Sequence, residues 1–249
     1  MKKLMIICLL AETLFLGISC SKSDAKGFAS TTGKGGSLAR FTIIGDYLYT
    51  VDKTNLKVFN IASGNKPVLK NTTEVGFEIE TIFPFRDKLF IGSTSVVHIF
   101  SLEDPERPQK LSVAISPEVL RRCDPVVAKD SVAYATLRTN SSCGGTQSIL
   151  AVYNIKDLAN PLQVFSVPVR EPFGLGYSDN ALYVCDQTSI RVFDISDGFY
   201  PIQKTEVAGD KLFFDVIAYD NSLVCWTESG VSIYDINNKF DPKLIGKIN

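Results

Sequence analysis

Histidine occurs once in these 249 residues, tryptophan once and methionine twice. A lone histidine, His98, excludes a two-histidine metal site and leaves a Ser-His-Asp triad a single possible base. Neither sign of charge is in excess, because 26 basic residues stand against 27 acidic ones for a formal net charge of −1. Without a basic stripe, nucleic acid is a poor partner. Phosphate-cradling glycine loops and cofactor fingerprints are lacking, so no cofactor is expected. Long apolar runs are lacking too, apart from a stretch of about 15 residues near the N-terminus, too short for a comfortable membrane span.

What fills the chain instead is a repeat. Five copies read YLYTVDKTNLKVFNI (Tyr47–Ile61), KLFIGSTSVVHIFSL (Lys88–Leu102), SVAYATLR…LAVYNI (Ser131–Ile155), ALYVCDQTSIRVFDI (Ala181–Ile195) and SLVCWTESGVSIYDI (Ser222–Ile236). A turn residue precedes each, Asp46, Asp87, Asp130, Asn180 and Asn221, at spacings of 41, 43, 50 and 41. A period in the forties built from short β segments predicts propeller blades. The expected fold is all-β, a five-bladed β-propeller with four antiparallel strands per blade, here A to D from the channel outward. In the first copy A is Ala39–Ile44, B Leu48–Val51, C Leu56–Ile61 and D Val68–Val75.

Pro67, Pro108, Pro161, Pro201 and Pro242 each stand six residues beyond a C strand. Proline removes a ladder donor, so it belongs at the start of an edge strand and places D outermost. Columns such as Leu48/Leu89/Val132/Leu182/Leu223 and Thr50/Ile91/Tyr134/Val184/Cys225 are largely apolar on both faces. Such runs predict that each blade is sandwiched between two neighbours, and that blades five and one close the ring by side-chain packing. The blades fall at about 37–76, 77–115, 116–169, 170–209 and 210–249, after a leader (1–20) and a linker (21–36).

VFDIS and its equivalents, with proline at fixed distance, resemble the LVIVD repeat of bacterial propellers. The resemblance recurs five times over roughly 210 residues, although Asn60, Ser101 and Asn154 replace the aspartate kept at Asp194 and Asp235. It implies the propeller fold and a surface or periplasmic lipoprotein; it implies little about activity.

The address is read from residues 1–20, MKKLMIICLLAETLFLGISC: two lysines, an apolar core, then small residues before Cys20. Leu16–Cys20 resembles a lipobox, which implies a diacylated Cys20 and an outer-membrane lipoprotein facing the periplasm or the surface. The alternative is ordinary signal cleavage and a soluble periplasmic protein. Ser21–Gly36 is small and polar, a tether between anchor and propeller. Loss of Lys2, Lys3 and Glu12 with the leader takes the formal charge from −1 to −2. The membrane is then a partner through the lipid alone.

Beyond the leader, Cys123, Cys143, Cys185 and Cys225 are left in an oxidising compartment, where disulfides can form. D-to-A and B-to-C connections share the top face of a propeller. Cys123 and Cys143 fall on two such connections in blade three, which carries an insertion of about ten residues. They are expected to form a disulfide worth about 3 kcal/mol; as metal ligands they would be half a zinc site. Cys185 and Cys225 lie in neighbouring blades, whose sheets stack about 10 Å apart, too far for a disulfide. They are expected to be buried free thiols. His98 shares a column with Lys57, Arg191 and Ser232, polar company that predicts an exposed imidazole without a catalytic role.

The residues left for a site cluster at the top of the channel. One A-strand column reads Arg40, Thr81, Asp124, Gly174, Asp215, and the column before it Ala39, Glu80, Cys123, Phe173, Phe214. Glu80, Asp124 and Asp215, with Arg40 and Arg122 nearby, could serve glycoside cleavage by paired carboxylates. An aspartate repeated in two blades reads instead as structural, accepting backbone hydrogen bonds. Phe77, Phe173, Phe213, Phe214 and Trp226 map near the same rim, as inter-blade filling or as a surface for a sugar ring or peptide. Ser116–Arg122 could add one helical turn. The expectation is a non-enzymatic binding or scaffold propeller, with Arg40, Glu80, Asp124, Phe173, Phe214, Asp215 and Trp226 as candidate contacts for a protein or glycan at the cell envelope.

Overall fold

Twenty strands form five four-stranded antiparallel sheets, each a meander in chain order. The structure, a computed structural model, describes residues 36–94, 96–115, 125–139 and 147–248. Blade one comprises β1 (Phe41–Ile44), β2 (Tyr47–Val51), β3 (Asn55–Asn60) and β4 (Val68–Glu74). Blade two comprises β5 (Ile79–Phe85), β6 (Lys88–Ser93), β7 (Val97–Ser101) and β8 (Gln109–Ala114). Blade three comprises β9 (Val126–Lys129), β10 (Val132–Leu137), β11 (Ser148–Asn154) and β12 (Leu162–Val169). Blade four comprises β13 (Pro172–Ser178), β14 (Ala181–Asp186), β15 (Ser189–Asp194) and β16 (Ile202–Ala208). Blade five comprises β17 (Phe213–Tyr219), β18 (Ser222–Thr227), β19 (Gly230–Asp235) and β20 (Lys243–Ile248). The protein is a five-bladed β-propeller. All five predicted prolines sit immediately before an outer strand, where no ladder donor is needed.

Apolar clusters join blade one to two, two to three, three to four and four to five. One B-strand column supplies a ring to each of these joints: Tyr49, Phe90, Tyr134 and Tyr183, all buried. Three of the rings also tether the next blade. The hydroxyls of Tyr49, Tyr134 and Tyr183 donate to the carbonyls of Pro105 (2.9 Å), Gly198 (2.6 Å) and Lys239 (2.8 Å), each in the following blade's C-to-D turn. Phe90 has no hydroxyl, and at that joint the Ser112 hydroxyl donates to the Leu158 carbonyl instead.

Two expectations about packing fail. Blade three is out of register with the predicted columns by one residue. Val132 pairs with Asn154 as Lys88 pairs with Ser101 and Ala181 with Asp194. The position equivalent to Asp87 and Asn180 is therefore Ser131. Asp130 takes the preceding turn position, where Gly45, Arg86, Asp179 and Asp220 share its positive φ. A slip of one residue reverses the face of every side chain. Val132 and Tyr134 accordingly face blade four, while Ala133 and Ala135 face blade two.

The second failure is ring closure. Among the described residues no apolar cluster joins blade five to blade one. β10 and β14 are buried at every position, whereas β3 and β19 alternate. That alternation marks a sheet covered on one side only.

Candidate functional site

The N-terminal segment crosses the top of the channel and is held there by Asp215. The Asp215 carboxylate accepts the Ser37 hydroxyl (3.2 Å) and the backbone amides of Leu38 (3.1 Å) and Val216 (2.9 Å). The Ser37 hydroxyl in turn accepts the Leu175 amide at 2.7 Å. Gly36 and Gly174 make the approach possible, since a Cβ on either would lie within 2.0 Å of an Asp215 oxygen. Burial, with 9 % of its surface exposed, raises the Asp215 pKa to about 6 despite these donors. Asp215 therefore does not present its carboxylate at the channel mouth, as a candidate contact would. It is a clamp between blade five, blade four and the entry to blade one.

Beneath Ser37 the channel holds a cavity of about 680 Å³. Phe83, Val127, Leu175, Tyr177 and Val216 are among its walls, and Asp179, Asp220 and Lys239 stand at the bottom.

The other top-face candidates come together. Phe173 and Phe214 meet edge to face with centroids 5.6 Å apart, and Phe214 and Trp226 tilt against each other at 4.9 Å. Phe173 and Phe214 are half-buried; Trp226 is 55 % exposed. At the far end the Arg138 guanidinium lies over Phe173, 4.2 Å from its centroid. The Thr136 hydroxyl fixes the Phe173 backbone by donating to its carbonyl at 2.6 Å. Glu80 stands beside this strip. Burial raises its pKa, while the charges of Arg40 and Arg138 pull it back.

Arg138 was not among the sequence candidates. It follows strand B of blade three just ahead of the inserted loop, and that was the one signal available. Phe213 is inter-blade filling, packed between blades four and five. Phe77 is 78 % exposed on the connection into blade two. Asp124, Arg122, Cys123, Cys143 and Cys20 lie outside the described residues, as do Ser116–Arg122 and Ser141–Gly145.

His98 is buried rather than exposed, and among the described residues its Nδ1 has no hydrogen-bond partner. Desolvation, helped by Lys110, lowers its pKa to about 4, so the ring is neutral at physiological pH. The column misled because Lys57 and Arg191 satisfy their charge through Asp52 and Asp186, partners that the polar character of a column does not reveal. Cys185 and Cys225 are buried and unbridged, as the sheet spacing predicts. Burial raises both thiols well above the usual range.

No protein-family model and no curated protein matches the chain. Solved structures do. A protein from Lactobacillus plantarum is 14% identical with a TM-score of 0.67, covering 81% of this chain and 67% of its own. The periplasmic gluconolactonase PpgL of Pseudomonas aeruginosa is 12% identical at 0.60, covering 82% and 67%. BamB from Moraxella catarrhalis is 10% identical at 0.56, covering 81% and 56%. Identities this low speak for the fold alone. The chain spans only 56% of BamB and 67% of the other two.

Proposed function

We propose that the protein is a non-enzymatic binding module of the cell envelope that takes a protein or glycan ligand on its top face. The observation that carries this reading is the strip Phe173–Phe214–Trp226, capped by Arg138 and flanked by Glu80. Half-exposed rings in a row offer flat apolar surface at small entropic cost, and the charged residues beside them offer directional contacts. The rings rest on the ends of β13, β17 and β18, so the surface is pre-organised by the sheets.

The rival reading, glycoside cleavage by Glu80, Asp124 and Asp215, is weakened by the Asp215 clamp, whose oxygens are already bonded to backbone amides and Ser37. A gluconolactonase and BamB both stand among the structural neighbours, and likeness at such identities decides neither for nor against an enzyme. The localisation proposed with this function is a lipid anchor on Cys20 at the outer membrane, and the repeat is assigned to the LVIVD type; both rest on the sequence.

A glycan array combined with pull-down from envelope extracts tests the proposal. Trp226→Ala and Phe214→Ala should each weaken the ligand so found at least about tenfold, the worth of one stacked ring. Undiminished binding in both variants would remove the strip as the site. Cleavage of a glycan that Glu80→Gln abolishes would favour the enzyme.

A further inference from the structure

The faces left open between blades five and one are inter-blade faces by every measure except burial. Phe41 is 60 % exposed, yet its equivalents Ile82, Val126, Leu175 and Val216 are all buried against a preceding blade. Leu48 and Phe59 are partly exposed where Leu89 and Phe100, or Leu182 and Phe193, are fully covered. On the opposite wall Val231 and Ile233 are partly exposed where Ile190 and Val192 are buried.

Two residues set this seam apart from the four packed joints. Val224 occupies the column of Tyr49, Phe90, Tyr134 and Tyr183, so the ring that fills each other joint is missing here. Trp226 occupies the column of Val51, Gly92, Thr136 and Cys185, all smaller and all buried. Trp226 packs against Phe214 of its own blade and stands 55 % exposed at the rim, and the valine behind it leaves the place of a ring unfilled. The seam is thus a mainly apolar surface, with Thr50 and Lys57 also on the blade-one side, that lacks one aromatic side chain.

We propose that this seam docks an extended segment of a partner polypeptide, whose tyrosine or phenylalanine fills the place that Val224 leaves. The four joints inside the chain define the chemistry: an aromatic ring between branched aliphatic walls, and in three of them a ring hydroxyl bonded to a C-to-D turn carbonyl. The slot continues that series of interfaces, so the occupant carries what the series lacks at this position. Apolar walls of Leu48, Phe59, Val231 and Ile233 suit a polypeptide side chain better than a glycan. The proposal does not rest on a ligand at the top-face strip, although Trp226 borders both.

The test is methyl NMR of the Cys20→Ser full chain, titrated with a blocked Gly-Tyr-Gly tripeptide and with blocked Gly-Ala-Gly. The tyrosine peptide should shift the Leu48, Val224, Val231 and Ile233 methyls saturably, and the alanine peptide should not. Val224→Tyr supplies the ring within the chain and should abolish the shifts. Leu48→Arg, on the open wall and outside the packed joints, should abolish them too and decides the matter if Val224→Tyr does not fold. Ile202→Ser, on the outer strand of blade four and away from both sites, should leave them unchanged. The proposal is overturned by no shift in the unaltered seam, by equal shifts from both peptides, or by shifts that survive in Val224→Tyr. A dimer that Val224→Tyr dissolves would assign the slot to a second copy and also overturn it.

Discussion

Two buried ionisable residues pull stability in opposite directions over one pH window. His98 has its pKa lowered from 6.5 to about 4, so the unfolded chain binds the proton more tightly. Its contribution is therefore lost as pH falls from 6.5 towards 4. Asp215 has its pKa raised from 3.8 to about 6, so the folded state binds the proton more tightly. Its contribution is present at low pH and is lost as pH rises from about 4 to 6. Each is worth up to about 3 kcal/mol, and in the native protein they largely offset one another. Chemical denaturation of His98→Gln should expose a stability that falls from pH 4 to 6, and of Asp215→Asn one that rises. Parallel profiles in the two variants would refute these assignments. Close packing of the same carboxylate makes Gly174→Ala costly: its Cβ would sit 2.0 Å from Asp215 Oδ1 and 2.9 Å from the Asp215 Cα. A loss of about 2 kcal/mol or more is expected by thermal unfolding, since backbone cannot yield as a flexible side chain would.

At the scale of the element, the blades obey their sequence closely. The two-residue A-to-B turns, the prolines before the outer strands and the apolar C strands all fall where the repeat puts them. Blade three escaped because its inserted loop disturbs the spacing, and both Asp130 and Ser131 suit a turn. Pairing with β11 decides between them, and pairing is a property of two strands rather than one. The slip put Tyr134 in another column from Tyr49 and Tyr183, and the purpose of these rings could not be read in any case, since the acceptor lies 56 or 64 residues away in the next blade. Tyr183→Phe keeps the packed ring and removes only the bond to the Lys239 carbonyl. A loss of about 1 kcal/mol is expected on denaturant unfolding, and no loss would mean the tether contributes only shape.

On the scale of the whole molecule, the ring is joined by four packed interfaces and bridged at its fifth by the Ser37–Asp215 clamp. Cutting that clamp with Ser37→Ala removes the donor to Asp215 and the acceptor for Leu175 together. Amide exchange should then speed selectively in β1 and β17, while β6 and β10, packed on both faces, keep their protection. Uniform change across the blades would show that the clamp does not hold the seam. Lipidation is tested separately: the mature protein should carry an acyl mass that Cys20→Ser lacks.

By itself the sequence determined that there are five sheets, which strand is outermost and which residue types fill the joints, because period, proline placement and side-chain alternation are local properties repeated five times. It also placed Phe173, Phe214 and Trp226 on one rim, since topology alone puts the starts of A strands and the ends of B strands on the same face. Tertiary structure alone decided the rest. Asp215 became a clamp because Ser37 and Leu38, 178 and 177 residues away, bring it their donors. His98 became a buried base because its neighbours cover it. The seam stayed open because packing two sheets together depends on both faces at once, and a column read down one blade cannot show whether its counterpart will meet it.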